Sequence, residues 1–321
     1  MPNYVGKYLF KMTILKDLKQ LKGPLRNPVL TTGNFDGVHK GHLVLFDLIK
    51  ERAKKIDGQS AVMTFDPHPT KVTRPEKSPR LITPTRQKLK LIDGAGIDVI
   101  FCVPFTEELS SISARDFVQD ILVDKIGVKE LVVGYDYSFG HNREGNITLL
   151  KDMGNHLGFS VHVVDQVRIN QKPVSSTSIR NLVSEGHISR AKKLLGRDYQ
   201  VCGTVVKGKS RGARLLGFPT ANIELVDELI PKVGVYAVKV IIDDTMFKGV
   251  TNIGYNPTFG DNQFSVETHI LDFSGDLLGK TIRVNFIERL RYERAFESLE
   301  DLSDQIAKDI KQAQKLFELL E

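Results

Sequence analysis

Two histidines three residues apart, His39 and His42, stand among glycines and one carboxylate in the run Thr32-Gly33-Asn34-Phe35-Asp36-Gly37-Val38-His39-Lys40-Gly41-His42. On the first turn of a helix that spacing turns both rings to one side. Paired imidazoles can donate to phosphate oxygens and stabilise the charge that develops at an α-phosphate as pyrophosphate leaves. That chemistry is nucleotidyl transfer without a covalent enzyme intermediate. Gly33, Gly37 and Gly41 leave room for backbone to approach a ligand, and the unpaired amides of a helix start favour phosphate there. The elements that must hold the run lie on either side. Residues 28–32 are apolar and β-branched, as suits a buried strand, and residues 42–56 place Leu43, Phe46, Leu48 and Ile49 at helical spacing. The run is therefore expected on a strand-to-helix turn. The plainer alternative is a glycine turn whose histidines only cap a helix.

G-N-F-D-G-V-H-K-G-H resembles the His-x-Gly-His signature of the nucleotidyltransferase superfamily, in the form carried by bacterial bifunctional riboflavin kinase/FMN adenylyltransferases, the prokaryotic FAD synthetases. The resemblance implies that His39 and His42 are catalytic and that Gly33, Phe35, Asp36 and Gly41 bind ATP or its phosphates.

At 321 residues the chain exceeds what one hydrophobic core usually supports, so two domains are expected. Its 41% hydrophobic and 26% charged residues are those of an ordinary soluble protein. The net charge of +6 is uneven: residues 1–186 hold 26 Lys and Arg against 20 Asp and Glu, and residues 187–321 hold 19 of each. These cations are dispersed, which suits attraction of anionic nucleotides better than a nucleic-acid partner. Cys102 and Cys202, far apart and each beside valine, are expected as core thiols, with neither a disulfide framework nor a metal cluster. No apolar run is long enough for a membrane span, and no secretory h-region is visible, so a cytoplasmic protein with no membrane partner is expected.

From residue 28 to about 186 strand-like segments at 61–65, 99–103, 131–133 and 160–164 alternate with helical patterns, the mark of a parallel α/β sheet. In such sheets ligands bind beyond the carboxyl ends of the strands, where three of the candidate motifs begin. The pattern changes after the helical stretch 188–195. Six strand-like runs follow with turns between them, at 200–206, 221–225, 235–242, 247–253, 264–271 and 281–287, and imply a small antiparallel barrel. An amphipathic helix over about 299–320 closes the chain, with Leu302, Ile306, Ile310 and Phe317 on one stripe. The expected architecture is a Rossmann-like nucleotidyltransferase domain, 1–186, followed by a flavokinase-like β-barrel domain with a terminal helix, 187–321.

Three further motifs belong to the first domain. Asp66-Pro67-His68-Pro69 ends a strand with two prolines around an imidazole, a rigid loop able to present ring faces and backbone to a flat aromatic ligand. In the resembled family the corresponding loop contacts the isoalloxazine ring of FMN. Asp136, in Gly134-Tyr135-Asp136-Tyr137-Ser138-Phe139-Gly140, is an acid at a strand end that can hold a ribose hydroxyl or an adenine amine, while Tyr137 and Phe139 also suit a plain buried turn. Ser175, Ser176, Thr177 and Ser178 offer hydroxyls at a helix start with Arg180 one turn on, a donor set for β- and γ-phosphates. The resemblance makes Ser176, Thr177 and Arg180 part of the family's second phosphate-binding motif.

In the second domain Gly208, Lys209, Arg211 and Gly212 form a glycine-rich basic loop, and composition alone does not separate an anion-binding loop from a solvated one. It continues into Phe218-Pro219-Thr220-Ala221-Asn222-Ile223. Thr220 and Asn222 are two apart, so on a strand they share a face and offer a hydroxyl and an amide oxygen to Mg²⁺ and phosphate. The whole run resembles the riboflavin kinase (flavokinase) domain, with Pro219 in its nucleotide-binding stretch. Gly234-Val235-Tyr236, the segment from Asn252 to Phe259, and Glu267-Thr268-His269 add to the match. Alternation puts Glu267 opposite Val266 and Thr268, expected toward the open mouth of the barrel. The resemblance makes Glu267 the general base, although a strand glutamate paired with Arg289 or Arg291 is the plainer reading.

Together the two resemblances imply ATP-dependent phosphorylation of riboflavin to FMN, releasing ADP, and adenylylation of FMN to FAD with release of pyrophosphate. Both steps would use Mg²⁺, in a monomer or weak homo-oligomer. The rival expectations are an RNA-binding or regulatory protein that keeps the folds without the chemistry, and an enzyme with only the kinase step live or with another nucleotide.

Overall fold

The computed structural model describes residues 13–320 except 22, 24, 209–216 and 257–260. Contacts divide the chain into two compact units between Ser176 and Thr177.

In the first unit the strands β1 (Thr13–Leu15), β2 (Val29–Thr32), β3 (Ser60–Asp66), β4 (Val99–Pro104), β5 (Glu130–Gly134) and β6 (Ser160–Val164) form one sheet in the order β1-β4-β3-β2-β5-β6. Every pairing is parallel. Successive strand residues face opposite sides, and here both sides are covered. Leu30, Met63, Phe101 and Val133 pack beneath Phe117, Val118, Leu122 and Leu150, which come from α5 (Ala114–Asp116, running on as a π-helical stretch Phe117–Lys125) and from a helix over Ile147–Leu157. On the other side Val29, Val62, Ile100 and Val132 meet Phe46, Ile49, Leu89 and Ile92 of α1 (Lys40–Lys55) and α3 (Thr85–Gly94). This double covering is why the strands read as unbroken apolar runs rather than as alternating ones. A partly buried polar triad joins α1 to β5 and β6. Glu130, 6% exposed, accepts from Arg52 Nε at 2.6 Å and Nη2 at 2.8 Å and shares a hydrogen bond with His162 Nε2 at 2.9 Å. The Arg52 hydrogen bond, ahead of the opposing effect of burial, holds the Glu130 carboxyl below its ordinary range.

The second unit opens with α7 (Ser176–Ser184, its first residue still in the sheet unit) and α8 (Ile188–Leu195). A closed barrel follows: β9 (Tyr199–Val206), β10 (Thr220–Glu224), β11 (Gly234–Ile242), β12 (Thr245–Asn256), β13 (Asp261–Ile270) and β14 (Thr281–Arg291), in the order β10-β13-β12-β11-β14-β9 and antiparallel throughout. Tyr199, Val201, Tyr236, Val238 and Phe286 fill the interior with Thr251 and Thr268, whose hydroxyls share a hydrogen bond at 2.8 Å. Val235, Ala237, Val250 and Ile287 face outward beneath Ala313 and Phe317 of the terminal helix α9 (Leu299–Glu318). Arg291 pins that helix by donating to both oxygens of buried Asp309.

The contacts give a second division of the chain beside the expected boundary, and one expectation, the facing of Glu267, changes. The contact division falls ten residues before the boundary expected at 186/187, because Lys232 N donates to Val183 O and Gly186 sits against the guanidinium of Arg289, which joins α7 to the barrel. Glu267 does not face the barrel interior. It pairs with Asn252 on one side and Asn222 on the other, and residues opposite one another share a face; that face is the outer one, while Val266 and Thr268 turn inward. Cys102 is a buried thiol as expected, and Cys202 is half-buried. Among the described residues no helix is long and apolar enough to cross a membrane.

Candidate functional site

The strand order reverses at β2, which has β3 on one side and β5 on the other, and the carboxyl end of β2 carries the histidine run. A reversal of this kind opens a crevice at the strand ends. The turn there is strained: Phe35, Gly37 and Val38 have φ of 51°, 91° and 38°. Val38 is β-branched, and a positive φ costs such a residue enough that its surroundings must impose it. The imposing contacts come from residues 82 and 83. The Asp36 carboxylate accepts from Ile82 N at 3.1 Å, Thr83 N at 2.9 Å and the Thr83 hydroxyl at 3.3 Å, and Gly37 N donates to Thr83 Oγ1 at 2.9 Å. A Cβ on Gly37 would stand 3.2 Å from Ile82. Asp36 is thus buried as a brace, and its main-chain oxygen accepts from Ser176 Oγ at 2.8 Å. Phe35 is buried too, with its ring edge-on to His42 and Phe46 at 5.1 Å.

His39 and His42 stack, with ring centroids 3.5 Å apart and planes inclined by 19°. Each caps the other's main chain: His42 N donates to His39 Nδ1 and His39 N to His42 Nδ1, both at 3.3 Å. This reciprocal cap satisfies two amides at the start of α1. Its chemical consequence is a fixed tautomer. A neutral ring whose Nδ1 accepts a hydrogen bond carries its proton on Nε2, so both imidazoles hold an Nε2–H donor. The capping and catalytic readings are therefore compatible, because they use different nitrogens. Gly41 lies beside the pair, its Cβ position 3.1 Å from the His39 ring and 3.5 Å from Val174 O; a Cβ on Gly33 would stand 3.1 Å from the Phe35 ring.

The neighbouring strand ends carry the other loops. Asp66, at the end of β3, precedes a cis peptide bond to Pro67 and accepts from Thr85 Oγ1 at 2.7 Å; His68 Nδ1 accepts from Thr70 N at 3.2 Å and caps the short helix α2 (Pro69–Thr73). Asp136 is exposed just beyond β5, and its carboxylate lies 3.4 Å from the Cβ position of Gly134. Tyr137 hydrogen-bonds the Thr32 side chain, and burial, only partly offset by that bond, pushes its phenol well above the ordinary range. Phe139 is buried against Tyr137 and Phe117. The plain buried-turn reading holds for these two aromatics. Gly33, Phe35, Asp36, His39, Gly41 and His42 thus share one turn, which Ser176 meets through its bond to Asp36 O, with Asp66–Pro69 and Asp136 on the flanking strand ends. Thr177 and Arg180 lie on α7 in the barrel unit.

The barrel unit gathers its own polar cluster. Asn222, Glu267 and Asn252 lie side by side across β10, β13 and β12, with Thr220 and His269 paired one step along. Glu267 is 7% exposed and accepts from Ser265 Oγ at 3.1 Å. Gly208 is where it must be: a Cβ there would sit 1.9 Å from Asn222 Nδ2. Pro219 is exposed, and its carbonyl hydrogen-bonds His269 Nδ1 at 2.8 Å. Arg291 clamps Asp309, and Arg289 stacks on Tyr292. Lys209, Arg211 and Gly212 lie outside the described residues. Thr220 and Asn222 supply hard oxygen donors, the type Mg²⁺ selects. Among the described residues no cluster of three His, Cys, Asp or Glu could hold a metal.

Sequence reasoning missed Thr83, Thr85, Lys88 and Asn252. Lys88 is 4% exposed, and its ammonium donates to Asn34 O at 3.1 Å and Phe65 O at 2.9 Å. Burial, against the attraction of Cys102, Asp36 and Asp66, pulls it below the ordinary lysine range. Its only signal in the sequence was its place on the apolar stripe with Leu89 and Ile92. Asn252 had a signal, since it opens one of the quoted flavokinase segments.

Comparisons with known proteins match the two parts of the chain to two families. A family model for FAD synthetase matches residues 22–178, and one for riboflavin kinase matches residues 195–317. The chain is 40% identical to a bifunctional riboflavin kinase/FMN adenylyltransferase of Pseudomonas fluorescens over 95% of its own length and 98% of the relative's. It is 36% identical to the protein of the same name from Escherichia coli strain K12, over 96% and 99%. Among solved structures, a chain from Streptococcus pneumoniae described as a macrolide-efflux protein superposes with a TM-score of 0.83 at 30% identity, covering 94% of this chain and 98% of that one.

Proposed function

The chain belongs to the family of bifunctional riboflavin kinase/FMN adenylyltransferases, and from that premise we propose which of its residues perform the two reactions. It is an ATP-using transferase that phosphorylates riboflavin to FMN and adenylylates FMN to FAD. Adenylylation belongs to the parallel-sheet unit and phosphorylation to the barrel.

In adenylylation an FMN phosphate oxygen attacks the α-phosphorus of ATP; the new P–O bond forms as the bond to the bridging oxygen of pyrophosphate breaks. His39 and His42 donate their Nε2 protons to the phosphate oxygens on which charge accumulates, and no side chain is covalently modified. The mutual cap of the two rings carries this reading, because it fixes both donors before substrate arrives, and preorganised donors need not reorganise during reaction. Gly33, Phe35, Asp36 and Gly41 shape the turn, with Asp36 acting as its brace. Ser176, Thr177 and Arg180 receive the β- and γ-phosphates, Asp136 holds the ribose or adenine, and Asp66, Pro67, His68 and Pro69 bound the flavin.

In phosphorylation the riboflavin 5′-hydroxyl attacks the γ-phosphorus and ADP leaves. Glu267 takes the hydroxyl proton, and Gly208, Lys209, Arg211, Gly212 and Pro219 surround the phosphates. Thr220 and Asn222 would hold Mg²⁺, which when bound with ATP offsets phosphate charge. The dispersed cations support a protein without a nucleic-acid partner, and its nucleotide substrates support a cytoplasmic location.

Incubating the pure protein with riboflavin, ATP and MgCl₂ and separating the flavins by chromatography tests the assignment in the parent and in His42→Ala and Glu267→Gln. The parent yields FAD, the histidine variant stops at FMN, and the glutamate variant makes FAD only from supplied FMN. Equal loss of both steps in either variant refutes the division of labour.

A further inference from the structure

The β2–β3 ladder ends where Gly33 N donates to Met63 O at 3.0 Å. Beyond that bond the two chains part, one into the histidine turn and the other into the Asp66–Pro69 loop. The next carbonyl on each side, Asn34 O and Phe65 O, turns to a single atom, Lys88 Nζ, at 3.1 and 2.9 Å. Thr64 Oγ1 adds a bond to the same Asn34 carbonyl at 3.0 Å. The short segment around Lys88 serves both loops: Thr83 holds Asp36 and Gly37 of the first, Thr85 holds Asp66 of the second, and Lys88 bonds to both. A buried ammonium is costly, and a methionine of similar volume would suit the apolar stripe beside Leu89 and Ile92. The lysine is therefore spent on something other than packing.

We propose that Lys88 is a positioning residue for FMN adenylylation, fixing the separation between the turn that carries His39 and His42 and the loop that bounds the flavin. This rests on the assignment of those two loops to the nucleotide and the flavin. In-line transfer requires the attacking phosphate oxygen and the α-phosphorus to meet at about 3–3.5 Å, and a misplacement of about 1 Å can cost 10²-fold in rate. Lys88 ties the carriers of the two reactants at the point where the β-ladder no longer does.

The test is steady-state kinetics of FMN-to-FAD conversion by full-length Lys88→Met, with riboflavin phosphorylation by the same sample as the internal control. The expected result is a kcat lowered at least about tenfold, with the KM for ATP within about threefold of the parent and the kinase rate unchanged. A folded Lys88→Met protein with parental kcat overturns the proposal, as does one in which only KM rises, since that would be a binding role. If Lys88→Met does not fold, Lys88→Arg, which keeps the charge but replaces the one ammonium shared by both carbonyls with a longer, planar guanidinium, decides. A lowered kcat at parental KM supports positioning, whereas a parental rate, or failure of both variants to fold, assigns Lys88 to stability alone and overturns it. His39→Ala is run alongside. If that variant keeps its FAD formation, the fault lies in the site assignment and not in Lys88.

Discussion

His39 does two jobs with two nitrogens, and one pair of substitutions separates them. His39→Ala removes the Nδ1 that accepts His42 N and the Nε2–H assigned to phosphate. Loss of a helix N-cap costs about 1 kcal/mol and at most about 2. Against a total stability of at least about 5 kcal/mol, that leaves well over 99% of the protein folded at 25 °C. Loss of one preorganised donor costs about 10²- to 10³-fold in kcat, or roughly 2.7–4 kcal/mol of transition-state stabilisation. The second substitution, His39→Asn, replaces Nδ1 with an amide oxygen at nearly the same distance from the backbone, and Asn is among the best N-caps, but it has nothing where Nε2 stood. The expected outcome is that His39→Ala loses a few degrees in Tm and nearly all FAD formation, whereas His39→Asn regains the Tm and not the activity. Differential scanning calorimetry and a chromatographic FAD assay with supplied FMN read the two effects independently. A His39→Asn enzyme that makes FAD within a few-fold of the parental rate would show that His39 is only a cap.

Glu267→Gln is expected to lower kcat for riboflavin phosphorylation by about 10²-fold or more, the scale of a lost general base, with little change in riboflavin affinity and none in adenylylation of supplied FMN; stopped-time flavin chromatography checks it, and a kcat within a few-fold of the parent leaves only a positioning role. The Glu130 carboxyl is held below its ordinary 4.5 in the folded state, so its contribution to stability is complete above 4.5 and is lost as pH falls through the folded-state value. Arg52→Ala should accordingly destabilise by about 2 kcal/mol at neutral pH, at the low side of a broken buried pair because Arg52 is partly exposed, and the gap in urea midpoint should close in acid. A gap independent of pH between 7 and 3 would contradict this. A fragment beginning at Thr177 should fold, phosphorylate riboflavin and melt several degrees above one beginning at His187, which lacks the bond from Lys232 N to Val183 O; equal melting of the two would return the boundary to 186/187.

The architecture was legible because burial leaves a periodic mark. Strands covered on both faces must be apolar throughout, barrel strands between turns must be short, and a helix lying on a barrel must carry a stripe; the strands of both units and the terminal helix Leu299–Glu318 followed from those constraints. The short edge strand Thr13–Leu15 escaped because three residues carry no period. The histidine pair was legible as well, because its spacing is local and its glycines mark a turn. Three matters were decided only by tertiary contacts. The sequence alternation put Glu267 opposite Val266 and Thr268 but could not say which face is inside; the barrel's closure and the seat of α9 did. Asp36 looked like a ligand for ATP, and its carboxylate is taken by amides some 46 residues away, a distance over which no local pattern extends. Lys88 was invisible for the same reason: on a helix it is one more cation, and only the parting of two strand ends gives its ammonium two carbonyls to join.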